Sequence, residues 1–209
     1  MIATCHESNP MEQEASFCQG LMYSVFQRPQ LSTQSGGLVI ALVAAHPEAG
    51  TTYLATHLTK SINSEQFISA VLLDCREAAN STRPSPEGRK GVPYPYEGAE
   101  AGSGLSAPRE AWRKSFDYRA SYLAHLRTRY NYVLIDCPSL KESTDVLGLT
   151  TLADGILLVI EANKTTKSQI ALMERTIEAA NGRILGHVLN KRTYLIPDRV
   201  HRKMIGWGF

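Results

Sequence analysis

Residues 38–52 read Leu38-Val39-Ile40-Ala41-Leu42-Val43-Ala44, then Ala45-His46-Pro47-Glu48-Ala49-Gly50, then Thr51-Thr52. The opening run is apolar, partly β-branched and without alternation. Such a run suits a strand buried on both faces, as in a parallel sheet. A Pro-to-Gly turn follows, and Thr52 to Ile62 has helical spacing. Strand, tight loop and helix in that order form the repeating unit of an α/β fold.

The rest of the chain repeats this unit. Ala70–Leu73, Tyr132–Ile135, Gly155–Ile160 and Ile184–Leu189 are further apolar strand candidates. Helical patterns lie between them. Trp112 to Tyr130 carries Phe116, Leu123 and Leu126, and Thr166 to Ala180 carries Ile170, Met173 and Ile177. Asn181-Gly182 closes the second of these as a C-cap signal. The prediction is an α/β fold: a mostly parallel sheet with helices on both faces and right-handed crossovers.

A length of 209 residues fits one domain with short extensions. We read residues 1–13 as a polar, mobile arm, 14–195 as a single domain, and 196–209 as a tail. Residues 80–108 break the strand–helix rhythm. Pro84, Pro86, Pro93 and Pro95 forbid a continuous helix there, so a long Pro/Gly-rich loop is expected.

Composition excludes several function classes. With 43% hydrophobic and 20% charged residues, the chain can bury a core and is not globally disordered. A net charge of +2 gives no reason to expect a nucleic-acid partner. Cys5, Cys18, Cys75 and Cys137 form no C-x-x-C pair, which disfavours a zinc or thioredoxin-type centre. No apolar run approaches the roughly 20 residues of a membrane helix, and a cytoplasmic location is the default expectation.

The loop after the first strand is where a phosphate-binding loop would lie. Such a loop curls its backbone N–H groups round phosphate oxygens, adds a Lys for charge, and offers a Ser or Thr to magnesium. Gly50 and Thr52 fit the G-K-[ST] ending. Thr51 stands at the Lys position, and Ala45 stands at the first Gly. A plain strand-to-helix turn explains the segment about as well.

Two later strands end in carboxylates: Val71-Leu72-Leu73-Asp74 and Val133-Leu134-Ile135-Asp136. At the carboxyl edge of a parallel sheet, such groups stand beside a phosphate loop and can hold magnesium or orient a nucleophile. A single Asp could be a turn residue. Two in this order add weight. Asn190 closes the last strand, where its amide could pair with an adenine edge or simply form a turn. His187 reads as a packed residue. His46, His57 and His125 have no metal or triad pattern.

Together these segments resemble the bacterial tyrosine kinases of capsule and exopolysaccharide synthesis, within the ParA/MinD-type deviant-Walker P-loop NTPases. The likeness runs through Phe17–Phe26, Leu38–Leu58, Ala70–Arg76, Tyr130–Pro138, Thr144-Asp145, Ala153–Val159 with Thr165, and Gly186–Asn190. Tyr130-Asn131-Tyr132-Val133-Leu134-Ile135-Asp136-Cys137-Pro138 is its most specific part. The resemblance implies ATP and Mg2+ as cofactors. Pro47, Glu48, Ala49, Gly50, Thr51 and Thr52 would cradle phosphates, and Asn190 would contact adenine. Thr52, Asp74 and Asp136 would hold the metal, with Asp74 and Asp136 as the catalytic carboxylates. It further implies a membrane-embedded polysaccharide co-polymerase as partner, and a homo-oligomer is compatible with it.

The departures are specific. Thr51 replaces the family's Walker lysine. Arg76 replaces the second Asp of the Walker A′ strand. Cys18 and Leu21 stand where the family's subunit-contact arginines would be. The tail after Tyr194 has no Tyr, and Tyr94 and Tyr96 lie in the long loop. The expectation is therefore a divergent, catalytically impaired kinase-like protein acting in or regulating exopolysaccharide or capsule biosynthesis. Alternatives are an active autokinase, with Arg76, Lys191 or a neighbouring subunit supplying the cation, and a ParA/MinD-like positioning ATPase.

Overall fold

The computed structural model describes residues 2–4, 17–21, 23, 36–75, 105–106 and 116–191. Its elements, in chain order, are β1 Ile2–Thr4, β2 Leu38–Ala44, α1 Thr51–Asn63, β3 Ala70–Asp74 and β4 Leu105–Ser106. They continue with α2 Phe116–Arg129, β5 Tyr132–Asp136, α3 Asp145–Thr150, β6 Gly155–Glu161, α4 Lys167–Ala179 and β7 Ile184–Asn190. A further helical segment covers residues 17–21.

All the strands join one seven-stranded sheet in the order β1-β7-β6-β2-β5-β3-β4. Every pairing is parallel. The predicted α/β architecture is the observed one. The apolar strands lack alternation because both faces are covered. Even-numbered residues of β2 (Ile40, Leu42) pack with Leu54, Leu58 and Ile62 of α1 and with Cys18 and Leu21. Odd-numbered ones (Val39, Ala41, Val43) pack with Leu123 and Leu126 of α2, Val146 and Leu149 of α3, and Met173 and Ile177 of α4. The core is thus two apolar layers divided by the sheet.

Three expectations need correction or extension. Residues 2–4, read as part of a mobile arm, form a strand on β7, with Ala3 in register with Val188. Leu105–Ser106, inside the expected loop, pair with Leu73 and Asp74. Phe116, assigned to a helical stripe, is 52% exposed, while Leu123 and Leu126 are buried. The remainder of 1–13, of 80–108 and of 112–115, with Arg76, Tyr94, Tyr96 and the tail 196–209, lies outside the described residues.

α4 opens with a capping box. Thr166 accepts from the Gln169 N–H, and Gln169 reaches back to the Thr166 N–H, satisfying donors that helix geometry leaves open. α1 has no such device. Its N-cap is Gly50, with no side-chain cap and no acidic residue in the first turn. α1 is joined to β2 by the loop 45–50.

At the opposite, amino-terminal edge an ion pair ties the layers. Arg127 on α2 meets Asp154 Oδ2 at 2.5 Å and donates to the Gly37 carbonyl at 2.9 Å. Asp154 Oδ2 also accepts from the Val39 N–H at 2.7 Å. No helix among the described residues is long and apolar enough to cross a membrane.

Candidate functional site

In the sheet order, β2 lies between β5 and β6. Strand order reverses there, and ligands of open parallel sheets bind outside the carboxyl ends of the strands at such a point. The loop 45–50 leaves β2 at that edge and runs directly into α1.

The loop curls through two left-handed residues, Glu48 at φ 64° and Gly50 at φ 95°. Pro47 and Glu48 are exposed, Ala49 is buried, and Gly50, Thr51 and Thr52 are partly buried. Among the described residues, the backbone N–H groups of Glu48 through Thr52 find no acceptor. Consecutive free N–H groups in a curled segment, at the positive end of a helix dipole, form an anion-binding concavity.

The register lines up the two sequence-flagged carboxylates. Asp74 pairs with Asp136 on the neighbouring strand, and Asp136 pairs with Leu42 of β2. Adjacent strands lie about 4.8 Å apart. Asp136 follows Leu134, and Asp74 follows Leu72, at two-residue spacing. Both Leu134 and Leu72 belong to the layer under α1, so alternation places both carboxylates on the α1 side. Asp136 is fully buried and Asp74 partly so. No group of three or more His, Cys, Asp or Glu side chains among the described residues forms a metal cage. A Thr52, Asp74 and Asp136 set offers a hydroxyl and two carboxylates, which suits magnesium completed by water and phosphate oxygens.

The cysteines after these aspartates face the other way. Cys75 and Cys137 are buried in the layer under α2 and α3. Burial pushes both thiols up from their ordinary range, and the nearby acidic side chains push in the same direction. Both are free, buried thiols that belong to the core.

Asn190 is placed at the loop, but its amide nitrogen is already engaged. Nδ2 donates to the Ala49 carbonyl at 2.9 Å. Its neighbour Lys191 donates from Nζ to the Glu48 carbonyl at 2.5 Å and meets Glu161 Oε1 at 3.3 Å. Glu161 also meets Lys164 Nζ at 3.1 Å and His46 Nδ1 at 3.7 Å. Burial would raise the Glu161 pKa, but hydrogen bonds and charge from Lys164 and Lys191 outweigh it and hold it below the ordinary value. His46 Nε2 lies 3.0 Å from Thr165 Oγ1, which accepts from the Glu161 N–H. His187 sits 2.8 Å from Glu174 on α4, away from the loop. Sequence reading passed over Glu161, and found no metal or triad pattern for His46. The available signal was that Glu161 ends β6 as Asp136 ends β5.

No family model matches the chain. Among curated proteins it is 32% identical over 72 residues to CapB of Staphylococcus aureus, covering 34% of this chain and 32% of CapB. It is 31% identical over 72 residues to the succinoglycan biosynthesis transport protein ExoP of Rhizobium meliloti, covering 34% of this chain and 9% of ExoP. Tyrosine-protein kinase YwqD of Bacillus subtilis is 30% identical over 79 residues, covering 38% of this chain and 31% of YwqD. The matched segments thus span about a third or less of these relatives. Among solved structures, the kinase domain of Escherichia coli tyrosine kinase ETK superposes with a TM-score of 0.60 at 16% identity, over 90% of this chain and 79% of that one. The kinase domain of VpsO gives 0.62 at 22% identity, over 88% and 97%. The protein has an α/β fold built on an all-parallel sheet. More particularly, its fold is that of bacterial tyrosine-kinase domains.

Proposed function

We propose that this chain is a kinase-like P-loop protein that binds a nucleotide polyphosphate at residues 45–52 with catalysis impaired, and that it acts in or regulates exopolysaccharide or capsule biosynthesis. The observation that carries the reading is the run of acceptor-free N–H groups from Glu48 to Thr52, standing at the switch point beside Asp74 and Asp136. ATP, once bound, supplies the transferable phosphoryl group. Residues 47–52 would enclose the phosphates, with the backbone N–H groups of Glu48 to Thr52 as the donors. Thr52, Asp74 and Asp136 hold magnesium, and Asp74 and Asp136 orient the attacking hydroxyl. Asn190, with one of its two amide N–H donors given to Ala49, keeps its second N–H and its Oδ1 acceptor for a base.

The impairment follows from Thr51. A Lys there would neutralise β and γ oxygens through charge-assisted hydrogen bonds, which are roughly twice as strong as neutral ones. The named relatives support the pathway: ExoP is a succinoglycan biosynthesis transport protein and YwqD a tyrosine-protein kinase. A membrane-embedded polysaccharide co-polymerase is the partner this reading implies. The location that follows is the cytoplasmic face of the membrane.

The test is calorimetric titration with ATP, with and without magnesium, on the wild type and Thr51→Lys. Weak, magnesium-dependent binding that strengthens by about tenfold or more in Thr51→Lys is expected. Wild type and Thr51→Lys that both fail to bind would show that the loop is no phosphate cradle. A second reading is an active autokinase, which would require the Lys191 ammonium to leave the Glu48 carbonyl and face the phosphates, or another cation to be supplied. Magnesium-dependent phosphate incorporation into tyrosine by the wild type would select it.

A further inference from the structure

A phosphate loop is ordinarily held in its curl by glycines, which reach left-handed φ without cost. This loop has Glu48 and Ala49 where small glycine-rich turns would serve, and Glu48 is left-handed at φ 64°. A non-glycine residue in that region costs of order 1 kcal/mol and persists only when its surroundings hold it. The holding contacts come from the far end of the chain. Lys191 Nζ takes the Glu48 carbonyl at 2.5 Å, and Asn190 Nδ2 takes the Ala49 carbonyl at 2.9 Å.

In a trans peptide the N–H points opposite to the C=O. Turning the Glu48 carbonyl toward Lys191 therefore turns the Ala49 N–H away from it, and the Asn190 contact does the same for the Gly50 N–H. Both N–H groups are among those with no acceptor. Lys191 is itself anchored by Glu161, whose carboxylate it shares with Lys164 at 3.1 Å. With Glu161 negative and both lysines positive, the anchor carries one net positive charge beside the loop.

We propose that Lys191 is the positioning residue of this loop, its ammonium bridging the Glu48 carbonyl and the Glu161 carboxylate so that the Ala49 N–H is aimed at a bound polyphosphate. This rests on reading residues 45–52 as a phosphate cradle, but it makes a separate claim about the ligand-free protein. Lys191 acts on the outside of the loop by shaping it and does not take the place of the lysine missing at Thr51.

The two claims are tested apart. The free full-length chain is compared by amide NMR as wild type, Lys191→Met, Lys191→Arg and Glu161→Gln. Lys191→Met should shift the Ala49 and Gly50 amide resonances and speed their hydrogen exchange. Lys191→Arg should restore them in part, and Glu161→Gln should move them in the same direction by less. Unmoved Ala49 and Gly50 resonances in both Lys191→Met and Glu161→Gln would overturn the proposal, whatever the protein binds. Titration with inorganic triphosphate and with MgATP, at a temperature where both proteins are fully folded, then reads the consequence: about tenfold weaker binding in Lys191→Met. Equal binding by wild type and Lys191→Met would also overturn it. Shifted amides in a protein that binds neither probe would leave the positioning role standing and remove the phosphate reading.

Discussion

Asn190 and Ala49, 141 positions apart in the chain, are joined by a hydrogen bond of 2.9 Å from the Asn190 side-chain amide to the Ala49 carbonyl. The last long strand thereby grips the loop that follows the first. A Cβ placed on the next residue, Gly50, would lie 2.1 Å from that same amide nitrogen. Gly50 is therefore required twice, once for its φ of 95° and once for the space that Asn190 fills.

Gly50→Ala is accordingly expected to lose about 1–3 kcal/mol of stability, from left-handed strain and the contact together. Asn190→Ala alone should lose about 1 kcal/mol, the usual worth of one hydrogen bond. The double variant should lose less than the sum, because removing the Asn190 side chain removes the collision. Urea denaturation of the four proteins measures the coupling. Strict additivity would mean that the two residues do not meet.

The Arg127–Asp154 pair should matter more than a surface ion pair. The side chains are only 19% and 12% exposed, and Asp154 also accepts from the Val39 N–H while Arg127 donates to the Gly37 carbonyl. Removing one partner leaves the other charge uncompensated in a part-buried site. Arg127→Met should cost about 3 kcal/mol in chemical denaturation. Lys at 127 should recover little of this, since an ammonium lacks the planar fork that reaches carboxylate and carbonyl at once. A loss below about 0.5 kcal/mol would place the pair among ordinary surface contacts.

Glu161 sets a pH dependence. Its native pKa is lowered, since the Lys164 and Lys191 contacts outweigh the opposing effect of burial. A carboxyl whose native value lies below its unfolded value stabilises the fold fully above the unfolded value, about 4.3 for Glu. That contribution disappears as pH falls through the lowered native value. Tm measured from pH 6 down to pH 3 should fall less steeply below about pH 4.3 in Glu161→Gln than in the wild type. Parallel curves would refute the assignment.

The sheet was legible in the sequence because its strands are buried on both faces. A run such as Leu38–Ala44 needs no periodicity to be recognised, and its observed bounds match the reading. Asp74, Asp136 and Asn190 were read as strand ends and are so, while the sixth strand was read one residue short, at Ile160 instead of Glu161. Those polar residues look like turn residues locally, yet neighbouring strands extend the ladder through them. α3 was not foreseen, for Asp145–Thr150 is too short to display helical spacing. The strand at Ile2–Thr4 and the pairing of Leu105–Ser106 depend on partners far along the chain.

The sequence by itself determined the α/β class, the position of the loop after the first long strand, and the two carboxylates at strand ends. These are local properties of burial pattern and turn chemistry. Only the tertiary structure decided that Asp74 and Asp136 stand in register, that Glu161 gathers Lys191 and His46, and that Asn190 and Lys191 hold the loop. Strand order governs those contacts. In a parallel sheet each neighbour is reached through a long crossover, so residues far apart in the chain meet only once the sheet has closed.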